Sequence, residues 1–230
     1  MKRSSFSFLL SILLWGLSLP AFSQELAISF LPTFNGSPLT NNDEEILYQE
    51  GTFQIETLKF YVSQVELWDD DQLVFKEDNR YHLLNAAIPQ TLNFQLNLPH
   101  QISFTKIRFQ VGIDSLTNVS GAFGGDLDPT NGMYWTWQSG YINFKLEGRA
   151  ENCPARHQRF QYHIGGYQYP YNTIQSVTLE VSDHRSIQIK VALEQLFESI
   201  DVEKNYQIMS PGENAVLFSQ LFKHLFSTTP

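Results

Sequence analysis

Apolar and polar side chains alternate along most of this 230-residue chain, and this period of two constrains the fold more than any other feature. About ten short segments carry the alternation, from residues 26–30 near the start to residues 187–191 near the end. Successive side chains of a strand point to opposite faces, so each segment predicts a strand with one buried face. Turn sequences such as 69–71 and 165–166 separate the segments. The sequence therefore predicts an all-β fold, an antiparallel β-sandwich or barrel-like domain.

Two segments break the period of two and predict short helices. Residues 42–48 form the first. In the second, Ser210 precedes Pro211, and Glu213 stands three residues after Ser210, which is the pattern of a capping box at a helix start. We therefore expect one or two short helices, including a C-terminal one. Apolar residues of the C-terminal segment recur at helical spacing: Val216, Leu217, Leu221, Phe222, Leu225 and Phe226.

The N-terminus has the pattern of a secretory signal peptide. A basic start precedes an apolar run over about residues 6–19, and a small-residue cleavage site follows at residues 21–23. The run is shorter than the roughly 20 apolar residues that a membrane span requires, and no other segment approaches that length. No cysteine lies at the cleavage site, so no lipid anchor is expected. We predict a signal peptide over residues 1–23 and one mature domain over residues 24–230, periplasmic or secreted.

The net charge argues against nucleic-acid binding, and the cysteine content excludes an intrachain disulfide. The formal net charge is -9, and no cluster of Lys or Arg offsets it, so nucleic-acid binding is not expected. With Cys153 as the only cysteine, no intrachain disulfide can form, and stability must come from packing. Cys153 is predicted to be an incidental thiol, with a soft metal ligand or an intermolecular bridge as the alternatives.

Residues 132–148 form a strand-like run, bounded by glycine, that contains two of the four tryptophans. If the run is extended, Trp135 and Trp137 share one face and Tyr134 lies on the other. Such an indole pair predicts either core packing or a modest, dry pocket. The preceding segment, about residues 117–133, is rich in Gly, Asn, Asp and Pro, which is typical of a functional loop. Function is therefore expected between about residues 112 and 166.

Two sets of side chains could bind a metal. Asp114, Asp126 and Asp128 supply hard oxygen donors that suit calcium, although the same carboxylates could instead cap turns through local hydrogen bonds. Among the six histidines, His163 and then His82 are the best candidate ligands, in a site assembled across strands. The alternative for His163 is that it points to water, because the apolar residues beside it in the strand face the other way.

Five motifs, in this order, carry a resemblance to a known family. They are Gly112-Ile-Asp-Ser115, Leu127-Asp-Pro129, Gly132-Met-Tyr-Trp-Thr-Trp-Gln-Ser-Gly-Tyr141, Lys145-Leu-Glu-Gly148 and His163-Ile-Gly-Gly166. In these motifs the chain resembles the MbnP-like family of copper-associated bacterial proteins, and the resemblance runs over nearly all of the mature chain. It implies an exported protein without catalytic activity that binds or handles copper.

The resemblance also implies a modification. Some members of the family carry a tryptophan oxidised to kynurenine by a di-haem partner enzyme related to MauG and to cytochrome c peroxidase. Kynurenine has an aniline nitrogen and ketone oxygens as donors, whereas the protonated indole nitrogen offers no lone pair. Carried over to this chain, Trp135 or Trp137 would be modified, Trp135 being the first choice. His163 and His82 would supply the imidazole donors.

The chain departs from the family at one place. Members often carry a histidine near the position of residues 208–212, where this sequence has none. Met209 is a soft donor there that suits Cu(I), with packing as the alternative use of its side chain.

Two other functions remain open. In one, the chain is a module for a small organic ligand or glycan, stabilised by calcium, with aromatic side chains as stacking surfaces. Those aromatic residues are Trp135, Trp137, Tyr141 and Tyr134. In the other, Asp114 acts with Asp126 or Glu147 as the acid and base of a hydrolase. No Ser-based elbow, zinc-binding helix motif or phosphate loop accompanies these carboxylates, so the sequence favours a protein that is not an enzyme.

Overall fold

The chain folds into two β-sheets, one of five strands and one of ten, that pack face to face. The structure is a computed structural model that describes residues 24–39, 44–49, 51–182 and 185–228. The prediction of an all-β fold with a short C-terminal helix is confirmed, and the described residues contain four short α-helices where one or two were expected. The predicted signal peptide and His184 lie outside the described residues.

The strands of the described residues are β1 (Gln24–Phe34), β2 (Ser37–Pro38), β3 (Glu45–Tyr48), β4 (Gly51–Asp69), β5 (Gln72–Lys76), β6 (Tyr81–Asn85), β7 (Asn93–Leu98), β8 (Lys106–Val111), β9 (Tyr134–Trp135), β10 (Gly140–Ala150), β11 (Arg159–Gly165), β12 (Gln175–Glu180), β13 (Ser186–Ala192), β14 (Gln207–Ile208) and β15 (Phe226–Thr228). The α-helices are α1 (Ser115–Val119), α2 (Glu194–Phe197), α3 (Glu213–Ser219) and α4 (Phe222–Leu225), and short 3₁₀ helices lie at Pro89–Leu92, Gly125–Leu127, Pro129–Asn131 and Arg156–Gln158.

Strand β4 is the central strand of the larger sheet. It is 19 residues long, and it pairs with five other strands by using both of its edges. Along one edge lie β10 and then β8, and along the other lie β3, β6 and β5. Beyond β10 the sheet continues through β11 to β14. In the smaller sheet, β1 pairs in parallel with β13 and antiparallel with β7 and β2.

The main core fills the space between the two sheets. Phe30 of β1 lies edge-on against Phe60 of β4 and Phe109 of β8, with ring centroids 5.8 Å and 5.7 Å apart. Edge-to-face pairs of this kind contribute about 0.5–1.5 kcal/mol each beyond the area that they bury. This packing supplies stability that a chain with a single cysteine cannot take from intrachain disulfides.

A second, smaller core lies on the outer face of the larger sheet. The loop segment from 112 to 133 and the short strand β9 cover that face and bury side chains that alternation directs away from the main core. Its members are Tyr61, Ile113, Leu127, Met133, Trp135, Tyr141 and Ile142. The segment expected to be irregular is therefore a cover, built from α1 and two 3₁₀ turns, and it positions the candidate site.

Both helix predictions need correction. Residues 45–48 of the first predicted helix form strand β3, which pairs antiparallel with β4. The C-terminal helix is present, but it starts at Glu213 after Gly212, with no side-chain cap from Ser210. It also breaks into α3 and α4, and Phe226 begins a strand. The predicted apolar stripe is wrong in one place, since Leu217 is 55% exposed.

Gly148 of β10 allows a close contact that an alanine would break. A Cβ at this position would collide with the carbonyl oxygen of Gln54 and would lie 2.6 Å from Cζ of Phe160. We expect Gly148→Ala to lower the free energy of unfolding by about 1–3 kcal/mol, because the strands must shift to make room. Urea unfolding measures the change. Gly124→Ala is the matched control, since a Cβ there meets nothing within 4 Å, and equal loss in both variants would contradict the prediction.

Candidate functional site

The tryptophan run forms a tight hairpin, and not the single extended strand that the alternation suggested. Strand β9 pairs with the start of β10, with Trp135 opposite Gly140, and the chain reverses over residues 136–139. Trp135 is 6% exposed, whereas Trp137 in the turn is 65% exposed. The two ring centroids are 5.8 Å apart and the rings are tilted by 46°. The expected indole pair on one face is therefore wrong: one ring is buried and the other faces water.

Trp135 packs directly on strand β11. A Cβ at Gly165 would lie 2.7 Å from Cζ3 of Trp135, so only glycine leaves room for the indole at this point. Tyr141 supports the hairpin from the other side. It is buried, and its hydroxyl donates to the carbonyl of Leu127 at 3.1 Å and accepts from the backbone N–H of Phe123 at 3.1 Å. The buried indole is thereby fixed between the sheet and its cover.

His163 lies two residues before Gly165 on the same face of β11, and it is paired with Glu147 of β10. Its Nε2 is 2.7 Å from Oε1 of Glu147. His163 is 7% exposed, so the alternative that it points to water is wrong. The hydrogen bond from His163 outweighs the effect of burial and, with help from the charge of Lys145, lowers the pKa of Glu147 to about 2.

This pairing leaves His163 suited to bind a metal. A carboxylate on Nε2 favours the tautomer that carries its proton there, so the lone pair of the ring is on Nδ1. Metal-binding histidines usually donate their second nitrogen to a carboxylate in this way, which orients the ring and raises its basicity. Glu147 therefore has the place of an orienting group behind His163.

Met209 directly follows strand β14, which runs parallel to β11, the strand of His163. Gln207 of β14 stands opposite Gln161 of β11, and the two side chains are 3.3 Å apart. Further along, Pro211 still contacts the β11 side, since its Cβ lies 3.3 Å from where a Cβ of Gly166 would be. Met209 therefore belongs to the segment that runs along β11 between these two contacts.

His82, the second predicted imidazole ligand, has its own local partners. Its Nε2 is 2.9 Å from Oε2 of Glu77, which is also buried. Its ring stacks on Phe94 of the smaller sheet, with centroids 3.7 Å apart.

The structure does not bring His82 and His163 together. His163 stands opposite Lys145, which stands opposite Lys59 of β4, so all three share the outer face of the sheet. His82 stands opposite Val62 of β4, three residues from Lys59 and therefore on the other face. Three strand spacings, about 14 Å, also separate the two histidines across the sheet.

The three aspartates predicted as calcium ligands all accept hydrogen bonds within the protein. Asp114 caps α1 through the N–H of Thr117 and also accepts from the hydroxyl of Tyr81. Asp128 caps the next 3₁₀ turn, and Asp126 accepts from the N–H of Leu83 in β6. Asp114 and Asp128 thus make the turn-capping contacts that the sequence analysis gave as the alternative. Within the described parts of the chain, no three His, Cys, Asp or Glu side chains form a group that could hold a metal ion.

A pocket of about 260 Å³ opens beside Trp135. The β9–β10 hairpin forms one wall and the loop after β11 forms the other. Its lining residues are Trp135, Gln138, Gly140, Tyr141, Gly166, Tyr167, Gln168, Tyr169, Tyr171 and Pro211. Sequence reasoning missed the tyrosines of that loop, although three of them within residues 167–171 are a visible signal.

A protein-family model described as MbnP matches residues 23–210. The chain is also similar to a solved structure, MbnP from Methylosinus trichosporium, with 17% sequence identity and a TM-score of 0.61, over 85% of this chain and 88% of that one. At this identity the solved structure shows a shared fold. A search of curated proteins finds no match. Among the helices of the described residues, none has the length and apolarity to cross a membrane.

The pair of Glu147 and His163 predicts a pH dependence of stability. The pKa of Glu147 falls on folding from 4.5 to about 2. Its contribution is therefore fully present above about pH 4.5 and is lost as the pH falls toward 2. We expect Glu147→Gln to remove this part of the loss of stability at acid pH. Urea unfolding at a series of pH values measures the free energy of unfolding. Glu203→Gln, an exposed carboxylate, is the control, and an unchanged acid profile for Glu147→Gln would refute the prediction.

Proposed function

The chain belongs to the MbnP family, and from that premise we propose that it is an exported protein without catalytic activity that binds or carries copper. Family membership supports a copper-related role. Two features of the sequence support export: the signal-like pattern of residues 1–23, and a family match that begins at residue 23, where that pattern ends.

One observation carries the proposal. His163 and Trp135 lie together on the outer face of β11, where the covering loop excludes water from much of the surface, and Met209 directly follows the strand that pairs with β11. Imidazole nitrogen and thioether sulfur are donors that suit Cu(I), and a carboxylate behind the imidazole adds orientation. Met209 stands at the place where the family often has a histidine, so a soft donor is retained there.

Trp135 would complete the site only after oxidation. Its indole nitrogen is protonated and has no lone pair for a metal. A peroxide-class oxidant used by the partner enzyme would cleave the indole C2–C3 bond and add two oxygen atoms, and hydrolysis of the resulting N-formyl group would release C2 as formate. The net exchange of one carbon for one oxygen leaves an aniline nitrogen and a ketone oxygen as donors. We assign this modification to a di-haem partner enzyme and to Trp135 rather than Trp137, because Trp135 is the buried ring that contacts β11 beside His163.

Calcium and hydrolysis are not part of the proposal. Two of the predicted calcium ligands, Asp114 and Asp128, cap turns of the covering loop, and the third, Asp126, accepts from a backbone N–H of β6. Glu147, a candidate acid or base of the hydrolase, is paired with His163, and its lowered pKa keeps it ionised near neutral pH, where it cannot act as a general acid.

Copper titration of side-chain variants tests the metal site. We expect His163→Gln and Met209→Leu each to weaken Cu(I) binding, since each removes a donor. Glu147→Gln is expected to weaken it by about 10–100-fold through loss of the orienting carboxylate. Competition with a chromophoric Cu(I) chelator measures the affinities. His82→Gln is the matched control, because His82 lies on the other face of the sheet. The copper site is excluded if the other three variants bind as the wild type does.

Peptide mass spectrometry tests the modification. In protein isolated from its native host, the peptide that contains both Trp135 and Trp137 should carry one exchange of carbon for oxygen, located at Trp135 by fragmentation. His163→Gln should leave the modification in place, since it removes a copper ligand and not the indole. Two intact indoles in native protein, or an exchange at Trp137, would overturn the assignment.

A further inference from the structure

We propose that Trp137 is an electron relay for the modification of Trp135. A partner that carries a one-electron oxidant contacts the exposed indole of Trp137, and electrons leave the buried indole of Trp135 through it. Trp137 is 65% exposed, whereas Trp135 is 6% exposed. The inference rests on the proposed oxidation of Trp135 to kynurenine, and it adds the surface residue at which the partner acts and the route that the electrons take.

Burial separates Trp135 from an oxidant that is held inside another protein. Strand β11 covers the ring, since a Cβ at Gly165 would lie 2.7 Å from Cζ3 of Trp135. The pocket beside the ring has a volume of about 260 Å³, which is below the roughly 300–1,000 Å³ of pockets for drug-sized ligands. Water fits such a pocket, but a large prosthetic group of a partner does not. The partner therefore needs a contact on the surface from which it can oxidise the ring at a distance.

Trp137 provides that contact, because its ring centroid is 5.8 Å from that of Trp135. Electron tunnelling slows exponentially as the gap between donor and acceptor widens. Two indoles in contact therefore exchange electrons far faster than Trp135 could with an oxidant outside the protein. The turn between the two residues is closed by the N–H of Gln138, which donates to the carbonyl of Trp135 at 3.3 Å. This hydrogen bond and the pairing of Trp135 with Gly140 hold the two rings at this distance.

The buried tyrosines near the hairpin are poor alternatives as relays. A tyrosine loses an electron readily only if a base takes its phenol proton at the same time. The hydroxyl of Tyr61 donates to the carbonyl of Asp126 at 2.9 Å, and that of Tyr141 donates to the carbonyl of Leu127 at 3.1 Å. A backbone carbonyl cannot take up the proton, and burial raises the pKa of both phenols. An indole can be oxidised to a radical cation that keeps its proton, which favours the route through Trp137.

Each electron moves in two steps. The partner takes one electron from Trp137, and the resulting radical cation takes one from Trp135, so Trp137 returns to an intact indole. Four such transfers remove four electrons from Trp135, which releases four protons and gains two oxygen atoms from water. Its C2–C3 bond breaks as the C2–O and C3–O bonds form, and hydrolysis of the N-formyl group then releases formate. At the partner, two molecules of a peroxide-class oxidant, hydrogen peroxide, take up the four electrons and four protons and become four molecules of water.

Expression of variants in the native host tests the relay, with the fraction of converted Trp135 measured by peptide mass spectrometry. Trp137→Phe keeps a ring in place that is far harder to oxidise, and we expect it to abolish the conversion of Trp135. Trp137→Tyr restores an oxidisable ring that is open to water and should recover part of the conversion. Trp68→Phe is the matched control, since it removes an indole elsewhere on β4. Full conversion in Trp137→Phe, or equal loss in Trp137→Phe and Trp137→Tyr, would overturn the proposal.

Photochemical oxidation tests the same route without the partner, using protein produced without a modifying enzyme. Tris(bipyridine)ruthenium(III), generated by light with a cobalt(III) pentaammine quencher, is a one-electron oxidant too bulky for the pocket. We expect oxidation products at Trp135 in the wild type and their loss in Trp137→Phe. Products confined to Trp137 in the wild type would contradict the relay. Proton NMR dispersion shows that each variant is folded.

The two proposals fail in different ways. An intact Trp135 in wild-type protein from the native host refutes the proposed modification. Conversion of Trp135 in both the wild type and Trp137→Phe leaves the modification standing and refutes the relay alone.

Discussion

The alternation of side chains across β4, β10 and β11 is the constraint on which the rest of the structure depends. Because paired residues share a face, one register decides what lies in the main core and what lies outside it. Phe60 and Phe144 face inward, whereas Lys59, Lys145 and His163 face outward. A slip by one residue would exchange these sets, and the donors at the candidate copper site would point into the main core.

The covering loop is fixed to the sheet by polar ends of otherwise buried side chains. Tyr61, whose pKa burial raises, donates its hydroxyl proton to the carbonyl of Asp126 at 2.9 Å. Lys59 and Lys145 donate to the carbonyls of Asn131 and Gly132. Each contact satisfies a backbone oxygen that a sheet would otherwise satisfy, so a segment without long strands still has one conformation. The order of this cover is what holds Trp135 against β11.

The strands could be predicted because the alternation that indicates them lies within each segment of sequence. Parts of the site could not be predicted because they depend on contacts between distant segments. The reversal after Trp135 depends on a two-residue strand and on Ser139, which has a φ of +51°, and neither leaves a pattern in the sequence. The contact of His163 with Glu147, which lie 16 residues apart in the sequence, depends on the register between β10 and β11. The approach of the Met209 segment to β11 depends on a parallel pairing of only two residues. The family motifs indicated the residues but not their neighbours.

Cys153 has a consequence for how the protein matures. Its thiol is buried and donates to the carbonyl of Arg159 at 3.3 Å, which fits the incidental thiol expected from the sequence. A chain with a single cysteine makes no intrachain cystine, so its folding does not wait for an oxidant or for a disulfide isomerase. Copper ions promote thiol oxidation, and burial keeps this sulfur from reacting with a second chain. The same fold can therefore form under reducing or oxidising conditions.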